Sequence, residues 1–374
     1  MRTGIASLPL HYGKTPPWLF KRMSRLARQI AIVMVEEFGT TEMLSRLADP
    51  FWFQALGCVL GFDWHSSGLT TTTCAALKEG LKGLQNELGL YVAGGKGATS
   101  RRTPAEVEAQ GENLSVDPAG LVYASRMAAK VDSAALQDGY QIYHHTFLFD
   151  REGHWCVVQQ GMNTTTRYAR RYHWLDDKVQ DFVCEPHAAV CCDQTGNPLN
   201  MVATESEEAR RTSTLLSQEK PWRLVQELKK LQTLDLANHH EVLLSDINPD
   251  RLGSIFLKTY ERQPGDFEVL LGMSGVGPKT IRALSLVAEL VYGVKPSFRD
   301  PVRYSFAHGG KDGYPYPVDR KNYDRSIDTL QRAIKQAQVG NREKLEALKR
   351  LASWSGGREK DDLLPGGGPV RSDE

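Results

Sequence analysis

The chain has no stretch of about 18 consecutive apolar residues, the length that a membrane-spanning helix needs. Its longest candidate, Ile30 to Val35, is far too short, so a helical membrane protein is excluded. Met1-Arg2-Thr3-Gly4 is not followed by an apolar leader with a small-residue cleavage site, and a cytosolic (cytoplasmic) protein with no membrane partner is expected. The six cysteines, Cys58, Cys74, Cys156, Cys184, Cys191 and Cys192, form no C-x-x-C pair, which disfavours zinc ribbons and thioredoxin-like sites. No internal repeat is present. An excess of one charge is missing too: 46 Lys+Arg against 45 Asp+Glu leave a net charge of +1. Such a chain cannot hold a nucleic acid by bulk charge, and only the placement of its cations matters. Aromatics, by contrast, are plentiful. Seven Trp, 13 Tyr and 12 Phe in 374 residues exclude a solvated coil and allow two or three domains.

Apolar spacing at three- and four-residue steps (Leu19, Met23, Leu26, Ile30, Val33) predicts a helix over 16–38, started by Thr15-Pro16-Pro17. A second short helix, 40–47, ends before Asp49-Pro50, and 51–62 is an aromatic core segment. Residues 71–88 read as a helix, and 104–130 as two short ones. The segment 94–104 (GGKGATSRRTP) reads either as a surface loop or as a phosphate-approaching loop with Lys96, Arg101 and Arg102. It is not a Walker A loop, and no nucleotide cofactor is evident. Tyr140 to Phe149 and Trp155 to Met162, joined by Asp150-Arg-Glu-Gly153, carry a β-hairpin signal. Short strands or loops are expected over 184–205, helices alone over 221–354, and a disordered Gly-, Pro- and charge-rich tail over 355–374. The fold class is therefore α+β. A mixed α/β domain with a central β-hairpin or small sheet (1–204, the candidate catalytic part) precedes an all-helical domain (205–354).

The sharpest motif is Leu270-Leu271-Gly272-Met273-Ser274-Gly275-Val276-Gly277-Pro278-Lys279-Thr280, set between two helical patterns. Gly275 and Gly277 can take positive φ, and Pro278 pre-sets a first helical turn. The amides of a helix N-terminus then accept a phosphate without reading a base. Gly275, Val276, Gly277, Lys279 and Thr280 are thus DNA-binding candidates. The motif resembles the helix-hairpin-helix, and the region resembles the endonuclease-III-like DNA glycosylases. That resemblance implies a nucleophilic lysine at Lys279 and a catalytic aspartate at Asp300. No four-cysteine cluster follows, so no iron–sulfur cluster is expected, and Pro301-Val302 replaces the usual Thr-His after the aspartate. The loop 306–320 adds Lys311 and Arg320 as DNA contacts, with His308, Tyr314 and Tyr316 beside them.

The N-terminal half holds further polar candidates. On a strand, His144 and His145 point to opposite faces, and Gln160 follows across the turn. Thr166-Arg167-Tyr168-Ala169-Arg170-Arg171-Tyr172-His173-Trp174 interleaves basic and aromatic residues, so Arg170 and Arg171 are DNA-binding candidates. A metal-dependent nuclease needs clustered carboxylates around Mg²⁺ or Mn²⁺. Asp132, Asp138 and Asp150 flank the hairpin and are candidate metal ligands and, for the first two, catalytic residues; Glu-x-Lys is absent from the second strand. Asp63 with His65, and His11 with Lys14 and Trp18, are two more polar groups. Cys184, His187, Cys191 and Cys192 have metal-ligand character in a spacing that matches no structural zinc pattern.

Thr3-Gly4-Ile5-Ala6-Ser7-Leu8-Pro9-Leu10-His11, Asp49-Pro50-Phe51-Trp52-Phe53-Gln54 and Gly61-Phe62-Asp63-Trp64-His65-Ser66-Ser67-Gly68 resemble the family of domain of unknown function 763. So do Gln159-Gln160-Gly161-Met162-Asn163 and Ala169-Arg170-Arg171-Tyr172-His173-Trp174. The resemblance extends to about residue 340 and implies a role in DNA repair without naming a reaction. Taken together, the expectation is a DNA-binding, DNA-processing protein. Three forms stay open: a structure-specific, metal-dependent nuclease (a hydrolase), a glycosylase/abasic-site lyase using Lys279 and Asp300, and a non-enzymatic repair accessory protein.

Overall fold

The computed structural model describes residues 15–62, 67–231, 247–303 and 320–361. Its centre is an antiparallel sheet of five strands, β1 (Leu90–Lys96), β3 (Gln141–Asp150), β4 (Trp155–Asn163), β5 (Tyr168–Leu175) and β6 (Ala189–Cys191), in the order β1-β3-β4-β5-β6. A two-stranded pair, β2 (Leu136–Gln137) with β7 (Leu199–Asn200), stands apart from it. The expected hairpin is β3–β4. Alternation sends Tyr91, Phe147, Phe149, Val157, Tyr172 and Trp174 to one face, and Leu90, Val92, Leu148, Cys156, Val158 and Leu175 to the other. Helices cover both faces, so the strands are buried almost continuously rather than every second residue.

One face is covered by α1 (Pro17–Ala48), α2 (Pro50–Leu60) and α3 (Gly68–Leu81), the short α4 (Gln85–Leu88) following them in the chain. The expected pair of helices at 16–38 and 40–47 is there: α1 is kinked at Gly39, where φ is +84°. Asp49 accepts from the Phe51 and Trp52 amides and starts α2, which is entirely buried and apolar but for Gln54. The C-terminal helices α12 (Arg320–Gln336) and α13 (Asn341–Asp361) join the same cluster through Leu330, Ile334 and Leu351. The opposite face receives α5 (Thr103–Glu108), α6 (Pro118–Lys130), α7 (Glu207–Ser217), α8 (Pro221–Leu231), α9 (Pro249–Arg262), α10 (Phe267–Gly272) and α11 (Pro278–Tyr292). The protein is α+β, as expected. Its hydrophobic clusters follow the faces of the sheet and run across the 204/205 boundary that composition indicated. The last helix continues to Asp361, past the expected end at 354; the rest of the tail lies outside the described residues.

Two further segments differ from their sequence reading: the helix expected over 71–88 breaks at 82–84 into α3 and α4, and the loop expected at 94–104 begins as a strand. Gly94, Gly95 and Lys96 end the edge strand β1 rather than opening a loop. Gly94 has φ +86°, and a Cβ there would lie 2.3 Å from the carbonyl oxygen of His145 and 2.5 Å from Thr103 Oγ1. Gly94→Ala is therefore expected to lose about 3 kcal/mol or more, from left-handed strain plus overpacking against backbone. Gly83→Ala (φ +80°, open space around the missing Cβ) should lose only about 1 kcal/mol, as strain alone predicts. Urea unfolding of the two variants checks this; equal losses would refute the close-approach account.

Candidate functional site

The glycine motif forms a helix–turn–helix hairpin. Asp266 caps α10 by accepting from the Val269 amide at 2.8 Å, and α11 starts at Pro278. Gly275 takes the left-handed conformation, φ +93°. Gly277 does not: its φ of −142° is extended backbone open to any residue. Val276 is buried and pins the turn to the core, while Ser274, Gly275 and Lys279 are exposed. Thr280 is buried and accepts weakly from the Gly277 amide at 3.4 Å, so it is a structural residue of the turn. The segment before β3 holds the turn from beneath. Lys130 Nζ donates to the Val276 carbonyl, and Gln137 Nε2 donates to the Pro278 carbonyl at 2.9 Å. Arg282 donates back to Gln137 at 2.7 Å. Burial lowers the pKa of Lys130, making it the desolvated lysine beside the hairpin, whereas Lys279 is solvent-exposed.

Asp300 is not a partner awaiting Lys279. Its carboxylate accepts from Arg170 at 2.8 Å, from the Gly196 amide at 2.8 Å and from the Val302 amide at 3.0 Å. Arg170 also bonds Asp138 at 2.9 Å and lies 4.6 Å from the centre of the Tyr140 ring; Tyr172 donates to the same Asp138. Burial pushes the Asp138 carboxyl up, while Arg170 and Tyr172 pull it back. Arg171 enters the other face, donating to Gln54 (3.2 Å), Thr70 (3.3 Å) and the Pro50 carbonyl (3.3 Å), with the Phe53 ring 4.7 Å away. Burial lowers its pKa to about 10. Neither guanidinium is exposed, so neither forms the phosphate-facing surface that the basic-aromatic run led us to expect.

The three aspartates proposed for a metal do not form one site. Asp132 is buried and accepts from Trp174 Nε1 (3.0 Å), Gln159 and His187. Asp138 belongs to Arg170. Asp150 holds the β3–β4 turn through Thr40 (2.9 Å) and through the His154 amide (2.9 Å) and ring (3.1 Å). Among the described residues no group of three or more His, Cys, Asp and Glu is placed to hold a metal. The Cys184/His187/Cys191/Cys192 grouping also separates: His187 goes to Asp132, Cys192 to Tyr140, and Cys191 lies under Arg171.

The two histidines point to opposite faces, as expected. His145 bonds Ser125 Oγ at 2.9 Å and Gln159 at 2.8 Å, and Gln159 reaches Asp132. A buried polar relay Ser125–His145–Gln159–Asp132–His187 results, and its His187 end lines a pocket of about 250 Å³ with Glu185, Arg299 and Arg303. His144 faces the other way. It stands in one row across the sheet, Lys96–His144–Gln160–Arg171–Cys191, each residue paired in register with the next.

That row ends at a cavity of about 1280 Å³ between the start of α1, α3, β1 and the β4–β5 turn. Lys78, Lys82, Lys96 and Arg167 supply its cations, and Tyr143, Phe20 and Phe62 its rings. Gln160 bonds two lining residues, the Ser67 carbonyl (3.0 Å) and the Tyr143 hydroxyl; His144 bonds a third, Thr146 (3.0 Å). Asp63, His65 and Lys311, with His11 and Lys14, lie outside the described residues, as does the side chain of Arg320; Trp18 is exposed. Sequence reasoning missed Ser125, Lys130 and Lys82, whose roles come from partners on other elements. A polar residue repeated at one register position on adjacent strands is the signal that marks the row.

Fold and site together define a helix-covered antiparallel sheet with a helical hairpin on one side and a basic cavity on the other. The chain belongs to the DUF763 family of proteins of unknown function, whose model matches residues 4–318. No curated protein and no solved structure matches the chain. No helix among the described residues is long and apolar enough to cross a membrane.

Proposed function

We propose that this protein binds DNA and acts in DNA processing or repair, with the α10–α11 hairpin as its clamp on the phosphate backbone. The observation that carries the reading is the turn itself. Left-handed Gly275 and its neighbour Ser274 are exposed to solvent, Lys279 stands exposed in the first turn of a 15-residue helix, and buried Val276 fixes their positions. Such a turn suits phosphate and is blind to base sequence. We read this turn as a helix-hairpin-helix, and the likeness to endonuclease-III-type glycosylases is part of the proposal. Lyase chemistry at Lys279 with Asp300 is not: one residue is solvated and the other is bound to Arg170. Asp132, Asp138 and Asp150, each bonded to different partners, do not fit a nuclease metal site.

The test is binding of fluorescent duplex DNA at stepped salt. Gly275→Glu should weaken affinity at least about tenfold on all sequences alike, since one carboxylate meets backbone phosphate and the left-handed turn is strained. Unchanged affinity with the fold intact would sink the hairpin assignment. Incubation of the same DNA, and of flap and abasic forms, with and without Mg²⁺ or Mn²⁺ separates a processing enzyme from an accessory protein.

A further inference from the structure

We propose that the cavity between α1, α3 and β1 is a groove for a single-stranded stretch of DNA, its backbone held by Lys82, Lys96 and Arg167 and a base set against Tyr143. The inference rests on the DNA-binding reading and names the form of DNA that a second site would take.

Charge is the first reason. Of the four lining cations, Lys78 is spent on Glu106 (2.6 Å) and the Gly94 carbonyl (2.8 Å). Among the described residues, Lys82, Lys96 and Arg167 form no ion pair, and Glu79 is the single carboxylate lining the cavity with them. Three separate elements, the end of α3, the end of β1 and the β4–β5 turn, thus bring unneutralised positive charge to one concavity. Size is the second. About 1280 Å³ exceeds the range of roughly 300–1,000 Å³ usual for small-molecule pockets, which favours a stretch of polymer over one metabolite. Aromatic rings beside a cationic track are the means by which unpaired bases are held, and a duplex cannot offer its base faces to them. Tyr143 is already under Lys96, whose Nζ is 5.7 Å from the ring centre.

Two local features point to a ligand. Arg167 has φ +61°, a left-handed conformation in which glycine is unstrained and arginine is not. The turn keeps a strained cation where glycine would fold more easily. Behind the cavity floor, His144 Nδ1 and Gln160 Oε1 are fully buried and have no hydrogen-bond partner. Both side chains bond to lining residues, so unspent polar capacity lies directly under the surface that would face a base.

The experiment measures binding of fluorescent oligothymidylate and of a blunt duplex across a salt series, with thermal unfolding in parallel. Arg167→Gly should melt at or above the parent's temperature and still bind oligothymidylate more weakly, its log–log salt slope falling by about 0.7. Lys82→Ala/Lys96→Ala/Arg167→Gly should lose about 2 in slope on the single strand, with duplex affinity at the parent's level. An unchanged slope and affinity in the folded triple variant overturns the groove. So does competition by thymidine monophosphate as effective per nucleotide as the oligomer. Gly275→Glu keeps the two readings apart. If it leaves duplex binding intact while the triple variant loses the single strand, the hairpin fails and the groove stands; the reverse pattern removes the groove and keeps the hairpin.

Discussion

Arg170→Ala is expected to cost about 3–5 kcal/mol, enough to unfold much of the protein at room temperature. The arginine is 2% exposed and stands between the carboxylates of Asp138 (2%) and Asp300 (7%). Removing it leaves two buried carboxylates without their cation, and breaking a buried ion group costs more than the group contributes as a whole. The loss should reach beyond β5, because Asp300 belongs to the segment after α11 and Asp138 to the one before β3. Arg170→Met combined with Asp138→Asn and Asp300→Asn removes the uncompensated charge and should recover most of the loss. Urea titration with tryptophan fluorescence reads both effects. If Arg170→Ala unfolds at the parental midpoint, the carboxylates are not held as described.

Acid should destabilise the protein well before its carboxylates titrate. His144, His145 and His173 are all buried. Burial pushes His144 down to about 3, helped by neighbouring His145 and Lys96. Burial likewise lowers His145, against the pull of Gln159 and Asp132, and takes His173 well below 6.5, with Arg171 adding to the effect. In the unfolded chain each would titrate near 6.5. Below that pH the unfolded state takes up protons that the folded state refuses, so stability falls as the pH drops from about 6.5 toward 3. For His144 alone the loss at pH 4.5 is about 3 kcal/mol, at about 1.4 kcal/mol per pH unit. His154 works in the opposite sense. Burial pulls it down, but Asp150, with Asp176 and Asp177, holds it above its ordinary value, so its contribution is present below 6.5 and fades as pH rises. Its side chain is partly exposed, and the effect is small. Urea midpoints at pH 7.5 and 4.5 test the sign, and His144→Gln should flatten the dependence. A midpoint independent of pH over that range would show that these imidazoles are not buried neutral.

Much of the local structure was legible because local physics decides it. Pro16-Pro17 and Asp49-Pro50 punctuate helices by fixing φ and barring the preceding residue from the helical region, and the helices lie where those residues put them. Asp150-Arg-Glu-Gly153 between Val- and aromatic-rich runs marks a hairpin, and a hairpin is found there. The strand Leu90–Lys96 was less legible. Its two glycines carry no β signal of their own; the reason for Gly94 is a backbone approach to β3 that no neighbour in sequence announces.

The candidate site was legible by residue type and not by grouping. The alternation of a strand does place Arg170 and Arg171 on opposite faces, as it does His144 and His145. It cannot say whether a face meets water. Here each face is covered by chain far away in sequence: Pro50, Gln54 and Thr70 enclose Arg171, and Asp138 and Asp300 enclose Arg170. A run that would be a phosphate-binding surface on an open sheet becomes the polar interior of a covered one. Sequence by itself determined the α+β class, the helical hairpin at Gly275 and the opposition of side chains along each strand, because these depend on residues a few positions apart. Only the tertiary structure decided which cations are spent inside and which, at Lys82, Lys96 and Arg167, are left at a cavity. That outcome depends on where distant carboxylates settle, and a net charge of +1 is silent about it.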